Sequence, residues 1–273
     1  MVDLPSLAEG GKQLGLAYLL VNSDIANKVL GPTADYIGEE IKMFTEKRIN
    51  NIKQIFLSAE RKLGDKINQD GKVPPKVLRG ILNEGSFSED ELSVEYFGGL
   101  LASSRSENSR DDRAAYYISL LEHLSSYQIR THYVFYSVLK ELFNGTKLNI
   151  GIERERKQMI IYIPLEQYAL SMDFGPKENQ NTIVAHSMVG LIREGLLDKF
   201  YAIGTASGLK EFSSSIKKSG VIFQPSPVGV EMFLWAHGKG ELSIQQFFET
   251  RYSFDCINEI HKPKNCIITK SIG

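Results

Sequence analysis

The chain has 273 residues, 42% hydrophobic and 24% charged, enough apolar material for one large domain or two ordinary ones, which excludes wholesale disorder. With 32 Lys and Arg against 33 Asp and Glu the net charge is -1, so overall charge gives no support to a protein built mainly to grip phosphates. Two cysteines, Cys256 and Cys266, make no disulfide framework, and the opening MVDLPSLAEGG lacks the basic and apolar regions of a secretion signal, so a cytoplasmic protein is expected.

The first apolar run, LGLAYLLVN at 14–22, is too short to span a bilayer. The wider stretch 12–31 offers only Lys12 and Lys28 as cations, few for a helix lying on a membrane surface. From Pro32 to Ile67 apolar residues recur at Ile37, Ile41, Phe44, Ile49, Ile52, Phe56, Ala59, Leu63 and Ile67, which predicts one long amphipathic helix. Pro32 suits its first turn, and Asp35, Glu39 and Glu40 suit its positive end. That stripe is more than one small helical layer covers. It predicts a homo-oligomer with Ile41, Phe44, Ile52 and Phe56 in the interface.

Pro74 and Pro75 break the pattern. A helical hairpin follows, with Val77, Leu78, Ile81 and Leu82, a turn near Gly85, and Ser88 capping a helix with Glu91 three residues on. The polar stretch 104–113 reads as a loop. Two further helices are divided near Ser125–Ser126, and Gly145 stops the second. The fold class predicted is mainly α, with a helical domain over 1–150.

Residues 151–180 read as a connecting segment in which MIIYIPLEQYAL is a strand running into a short helix and DFGPKENQN has linker composition. Beyond it, NTIVAHSMVGLIREG predicts a helix ending at Gly195, Phe200–Tyr201 begins a strand, Val221–Phe223 is a second strand, and PSPVG opens a helix with Pro227 in its first turn. This order predicts a winged-helix-like α+β domain over 181–273, including a C-terminal extension. Its long connection contains LKEFSSSIKK, read as a small helix.

No catalytic signature emerges, and neither an enzyme nor a cofactor is expected. AEGGKQ at 8–13 lacks the hydroxyl that a phosphate loop needs after its lysine, because Gln13 follows Lys12. GTASG at 204–208 lacks the spacing of a dinucleotide fingerprint. His123, His132, His186, His237 and His261 are scattered. Cys256, His261 and Cys266 lie close together, but a fourth ligand is missing and the spacing matches no common zinc module, so no metal is expected.

The wing is the remaining candidate. Its helix supplies Asn181, Thr182, His186, Ser187 and Arg193, and the following strands and connection supply Lys199, Lys210, Lys217 and Lys218, diluted by Asp198 and Glu211. A surface that docks protein is the preferred reading and nucleic-acid binding the second, since base and phosphate contacts need more cations than this. The tyrosines at 116, 117, 127, 133 and 136 and the single Trp235 fit ordinary core packing.

Several stretches together resemble the Abi-alpha (abortive infection alpha) family of bacteria: LGPTADYIGEEI, VPPKVLRGILNEGSFSEDELSVEYFGGLLASS, YYISLLEHLSSYQIRTHYVF, and the tail GLIREGLLDKFYAIG followed by VIFQPSPVGVEMF. In the family's closing segment a helix ends in Gly-Leu-Leu/Ile and a strand runs into a Thr-Pro-x-Gly turn, which Ser226, Pro227 and Gly229 occupy here. The resemblance covers most of 30–236 and transfers no catalytic residue. It implies a part in defence against phage, through protein contacts or toxicity to the host.

Overall fold

The computed structural model describes residues 33–88, 90–107, 110–252 and 260–269. The helices before the sheet are α1 (Thr33–Leu63), α2 (Pro75–Asn83), α3 (Glu91–Ser103), α4 (Ala114–His123), α5 (Ser126–Leu142) and the single turn α6 (Glu153–Arg156). Then come β1 (Ile160–Pro164), α7 (Leu165–Met172), α8 (Gln180–Arg193), β2 (Leu197–Gly204), the short α9 (Ala206–Leu209), β3 (Gly220–Pro225), α10 (Pro227–Ala236) and β4 (Ile267–Thr269). The protein is mainly helical with a small four-stranded antiparallel sheet.

The helical layer is organised around α3. Its sequence, ELSVEYFGGLLAS, has small or apolar residues at almost every position, and from Leu92 to Ala102 all but the half-buried Val94 are buried. A helix apolar all round must be enclosed on every side. Here α1 and α10 flank it, with α2, α4 and α5 completing the enclosure. Two glycines set how close the flanking helices come. A Cβ on Gly98 would fall 2.3 Å from Ser58 Oγ of α1, and one on Gly99 only 1.8 Å from the carbonyl oxygen of Ala236 in α10. One charge is enclosed with the helix: Glu95, 2% exposed, accepts a 2.8 Å hydrogen bond from Arg61 and pairs with Lys62.

Local chemistry places the helix ends. Pro75 opens α2, Asp90 caps α3 by accepting from the Ser93 N–H at 3.0 Å, and Ser125 with Gln128 forms a capping box at the start of α5. The cap of α3 is therefore Asp90 and not Ser88, because a carboxylate one residue before the helix reaches the free N–H groups directly. The long helix also ends earlier than expected. Gly64, at φ 51°, turns residues 64–68 into a 3-10 segment. Among the described side chains of α1 the buried positions are Ile55, Ser58 and Ala59, whereas Ile49 and Phe56, expected on the apolar stripe, are 62% and 45% exposed. The step of five from Phe44 to Ile49 carried the predicted stripe off the face that meets α3. Pro32 and the 12–31 stretch lie outside the described residues, as do the side chains of Ile37, Ile41 and Phe44.

The strand order is β2-β3-β1-β4. Residues 151–180, expected as a connector, supply β1, every residue of which is buried between β3 and β4. Its run IIYIP is apolar on both faces because both are covered. On one face Ile161, Ile163, Val221 and Phe223 join the main core, with Phe223 stacked on Phe135 of α5 at 4.0 Å between ring centroids. On the other, Ile160, Tyr162 and Ile222 meet Leu209 and Ile216. The main core runs from Ile55 to Phe248 and draws residues from both expected domains. In the β2–β3 connection the helix is α9, one turn ahead of the predicted LKEFSSSIKK.

A polar junction ties the helical layer to the sheet. The Ser226 hydroxyl accepts from the Gly229 N–H at 3.0 Å, capping α10, and donates to the Gly195 carbonyl at 2.6 Å. The Tyr136 hydroxyl donates to the Leu196 carbonyl at 2.6 Å and accepts from the Ser226 N–H at 3.0 Å. Gly229 leaves room for that tyrosine, since a Cβ there would lie 2.0 Å from its oxygen. His132 completes the junction, fully buried, with Nδ1 2.7 Å from the Tyr96 hydroxyl and Nε2 3.0 Å from the Gly229 carbonyl. A carbonyl only accepts, so Nε2 carries the proton, and neutral Nδ1 accepts from the tyrosine.

Both the glycine contacts and the buried histidines are open to test. Gly99→Ala must push α10 off α3, with backbone on the opposing side unable to yield as a side chain can. Overpacking costs about 1–3 kcal/mol. Chemical denaturation should place Gly99→Ala at or beyond the top of that range and Gly98→Ala, which meets a serine side chain, below it; equal losses would contradict the account. Acid supplies the second test. Burial holds His132 and His237 far below the usual histidine pKa of 6.5, each at about 3. Because the folded pKa lies below the unfolded one, unfolding takes up protons, and the stability these residues contribute is intact above about pH 6.5 and lost as pH falls towards 3. The slope should reach about 1.4 kcal/mol per pH unit for each histidine. Urea titrations between these limits check it: His132→Gln should flatten the slope by about one proton, and an unchanged slope would rule the assignment out.

Candidate interaction surface

α8 begins at a side-chain cap, Asn179 Oδ1 accepting from the Thr182 N–H at 3.2 Å. It ends where Gly195, at φ 70°, lets the Leu196 N–H turn back to the Leu191 carbonyl at 2.8 Å. Val184, Ser187, Met188 and Leu191 form its buried side. Gly190 faces α5, where a Cβ would lie 1.8 Å from Gln128 Nε2. The outward side carries Asn181, Thr182, Ala185, His186, Val189 and Arg193, all exposed. Of these only Arg193 is a permanent cation, and it donates to Glu194 at 2.9 Å.

β2 is an edge of the sheet among the described strands. Along it Lys199, Tyr201 and Ile203 are exposed, alternating with the half-buried Asp198, Phe200 and Ala202. Tyr201 lies opposite Phe223 and Ile203 opposite Val221. Those partners are completely buried, so each row runs from the core out to solvent at the edge strand, where Tyr201 and Ile203 remain 42% and 41% exposed. The opposite side is closed by the β2–β3 connection itself. Leu209 and Ile216 are buried there, Phe212 meets Phe200 edge-on at 5.7 Å, and the Tyr162 hydroxyl donates to the Lys218 carbonyl at 2.9 Å. The connection is a cover for the sheet rather than a free loop.

The five cations expected at the wing are divided by this arrangement. Arg193 pairs with Glu194 at 2.9 Å and Lys218 with Glu166 at 2.5 Å, while Arg156 engages the neighbouring Asp198 at 3.0 Å. Lys199, Lys210 and Lys217 are exposed, spread over the strand and the connection. Exposed pairs contribute little stability, roughly 1 kcal/mol or less, but each one reduces the local positive potential. Reading the sequence for cations missed Val189, Tyr201 and Ile203. The signal for the last two was the period-two alternation of FYAIG, which separates Tyr201 and Ile203 from Phe200 and Ala202.

A second apolar surface lies on α1, where Ile49 and Phe56 are exposed and Ile52 is half-buried. The side chains of Ile41 and Phe44, expected beside them, are outside the described residues.

The remaining candidates are occupied by structure. His261 Nε2 lies 3.1 Å from Gln167 Oε1. Burial pushes the Cys266 thiol up to about 12, which keeps it protonated, and Cys256 is outside the described residues. Among the described residues no group of histidines, cysteines and carboxylates is placed to hold a metal ion, and no helix is long and apolar enough to cross a membrane. Gly204 ends β2 and Thr205 caps α9, so GTASG is a turn. AEGGKQ lies outside the described residues. Trp235 is buried beneath Arg113, whose guanidinium carbon lies 5.1 Å from the ring centroid. Compared with models of known families, with curated proteins and with solved structures, the chain matches none.

Proposed function

We propose that the winged-helix module expected over 181–273 is built with α5, β1 and α7 ahead of it, so that its elements span residues 126–236, and that the chain is a non-enzymatic, cytoplasmic antiphage defence protein acting through contacts with protein partners. Support for the module comes from its order and pairing. Helix α5 precedes β1, α7 and α8 precede β2, and β3 lies between β1 and β2. In this arrangement α8 takes the place of a recognition helix.

The preference for a protein partner rests on one observation: the outward side of α8 and the edge of β2 present the uncharged Asn181, Thr182, Ala185, Val189, Tyr201 and Ile203 against two permanent cations, Lys199 and Arg193, the second of which is paired with Glu194. Phosphate backbones are held chiefly by cations and hydrogen-bond donors, whereas protein interfaces favour exposed aromatic and aliphatic anchors. The defence role comes from the resemblance to the Abi-alpha family. The residues that carry its closing motif, Gly195 and the Ser226–Gly229 turn, are joined by the Ser226 hydroxyl, which gives that motif a physical purpose. Self-association is part of the proposal, supported by the exposed Ile49 and Phe56 on α1.

A second reading, a winged-helix DNA-binding regulator, is favoured by the exposed Lys199, Lys210 and Lys217 on one hairpin. A third, a membrane-acting effector, depends on the 12–31 stretch and has no support among the described residues.

Phage plating on bacteria expressing the chain tests the first reading. The pair Tyr201→Asp and Ile203→Asp should reduce protection by about tenfold or more, the loss of one interface anchor, while its melting curve stays close to wild type. Full protection by that folded variant would remove the surface from the proposal. Mobility shifts over a salt series should show no tight complex, whereas nanomolar, sequence-selective binding that weakens steeply with salt would favour the DNA reading. Light scattering should show a discrete oligomer that Phe56→Asp dissociates, and a 30.7 kDa monomer for the unsubstituted chain would reject self-association.

A further inference from the structure

A cavity of about 660 Å³ opens on the helical layer, where the ends of α2 and α4 meet the beginnings of α3 and α5. Its volume lies within the range of small-molecule sites. The floor is apolar, formed by Phe97, Leu121, Leu124 and Ile129, each buried in the core, with Ser88, Ser93 and Ser126 around it. The rim is acidic, with Glu84, Asp90 and Glu122, and the half-exposed ring of Phe87 stands beside them.

The three carboxylates are not equivalent. Asp90 is committed to the fold, accepting from both the N–H and the hydroxyl of Ser93. Glu84 and Glu122 come from different helical elements and form no ion pair among the described residues. Partial burial and the nearby Glu122 carboxylate raise the pKa of Glu84. Arg48 acts in the opposite direction without cancelling them. Its Nε–H donates to Ser86 Oγ at 3.0 Å and its guanidinium lies 4.2 Å from the Phe87 ring centroid. The C-terminal ends of α2 and α4 and the N-terminal ends of α3 and α5 all reach this side, so their partial charges offset one another and the negative character of the mouth comes from its carboxylates. The cavity thus joins an apolar floor to a mouth that disfavours anions.

We propose that this cavity binds a small organic cation, with an ammonium head between Glu84 and Glu122 and an aromatic or aliphatic body against Phe97, Leu121 and Leu124. The head offsets the repulsion that the Glu122 carboxylate exerts on Glu84. The body packs against the exposed ring of Phe87 and the edges of the floor residues, which the fold already shields from most water. A neutral molecule of the same shape satisfies only the second requirement, and an anion opposes the first. The site is separate from the α8 and β2 surface and does not depend on the winged-helix reading.

Calorimetric titration of the full chain with tryptamine, with 3-ethylindole as the neutral isostere and indole-3-propionate as the anion, tests the proposal. Tryptamine should bind saturably at one site, about tenfold or more tighter than 3-ethylindole, and the anion should not bind measurably. The double variant Glu84→Gln, Glu122→Gln should lose the preference for the amine while still binding the neutral indole, and Phe87→Ala should weaken both. Removing two repelling charges from the rim leaves the core intact, and a melting curve checks this; if the double variant does not fold, Glu122→Gln alone serves, because Glu122 is exposed. Absence of saturable tryptamine binding at millimolar concentration, equal affinity for amine and neutral isostere, or a preference that survives the carboxamide substitutions would each overturn the proposal.

Discussion

The close approach of α3 to its neighbours is the constraint on which the rest of the architecture depends. A helix buried on all sides can be enclosed only if some of its surface is flat, and Gly98 and Gly99 provide two flat positions in succession, turned towards different neighbours. One admits α1 through Ser58, the other admits the backbone of α10 at Ala236. A glycine pair inside a helix costs about 1 kcal/mol per residue in propensity. That cost is offset by packing that no larger residue permits. The Ser103 hydroxyl reinforces the contact at both ends, donating to the Trp235 carbonyl at 3.1 Å and accepting from the Gly240 N–H at the same distance.

Once α10 is fixed against α3, its N-terminus determines where the sheet can lie. β3 runs straight into the Ser226 cap, and Ser226, Tyr136 and His132 hold that cap to the end of α8 and to α5. The orientation of α8 is thus inherited from the helical layer through hydrogen bonds to backbone carbonyls, with geometry that substitutions on its outer face leave untouched. Surface and scaffold are separable here. The residues of α8 and β2 that face solvent can vary in chemistry without disturbing the junction that positions them.

Much of this was legible in the sequence, in particular places. Gly195, Pro227, Ser226, the Ser125–Ser126 division and the strand-to-helix run MIIYIPLEQYAL carry their structure locally, through positive φ, fixed φ, a capping hydroxyl or a short apolar stretch. The chain was less readable where distance decides. Nothing near β1 shows that it will be paired on both sides by strands arriving some sixty and more than one hundred residues later, so its neighbourhood read as a connector. The exposed face of α1 was misjudged because apolar content alone does not say which side meets α3; Ile55 is buried and the adjacent Phe56 is not. At the wing, formal charge was visible but its neutralisation by Glu166 and Glu194 was only partly so, since Glu194 adjoins Arg193 while Glu166 lies 52 residues from Lys218. The acidic cavity combines residues from four helical elements, none of which carries a motif.

The separation between Gly99 and Ala236 has a consequence for the birth of the protein. α3 leaves the ribosome well over one hundred residues before the helix that will cover its second face. At about 5–20 residues per second, that interval is on the order of ten seconds. For that time the nascent chain exposes the apolar strip of α3 that α10 will cover, in a crowded compartment where such strips recruit chaperones or one another. Slowing translation between α5 and β3 lengthens that exposure, and synonymous codon choice in this interval becomes a determinant of yield even though it leaves every contact in the finished molecule unchanged.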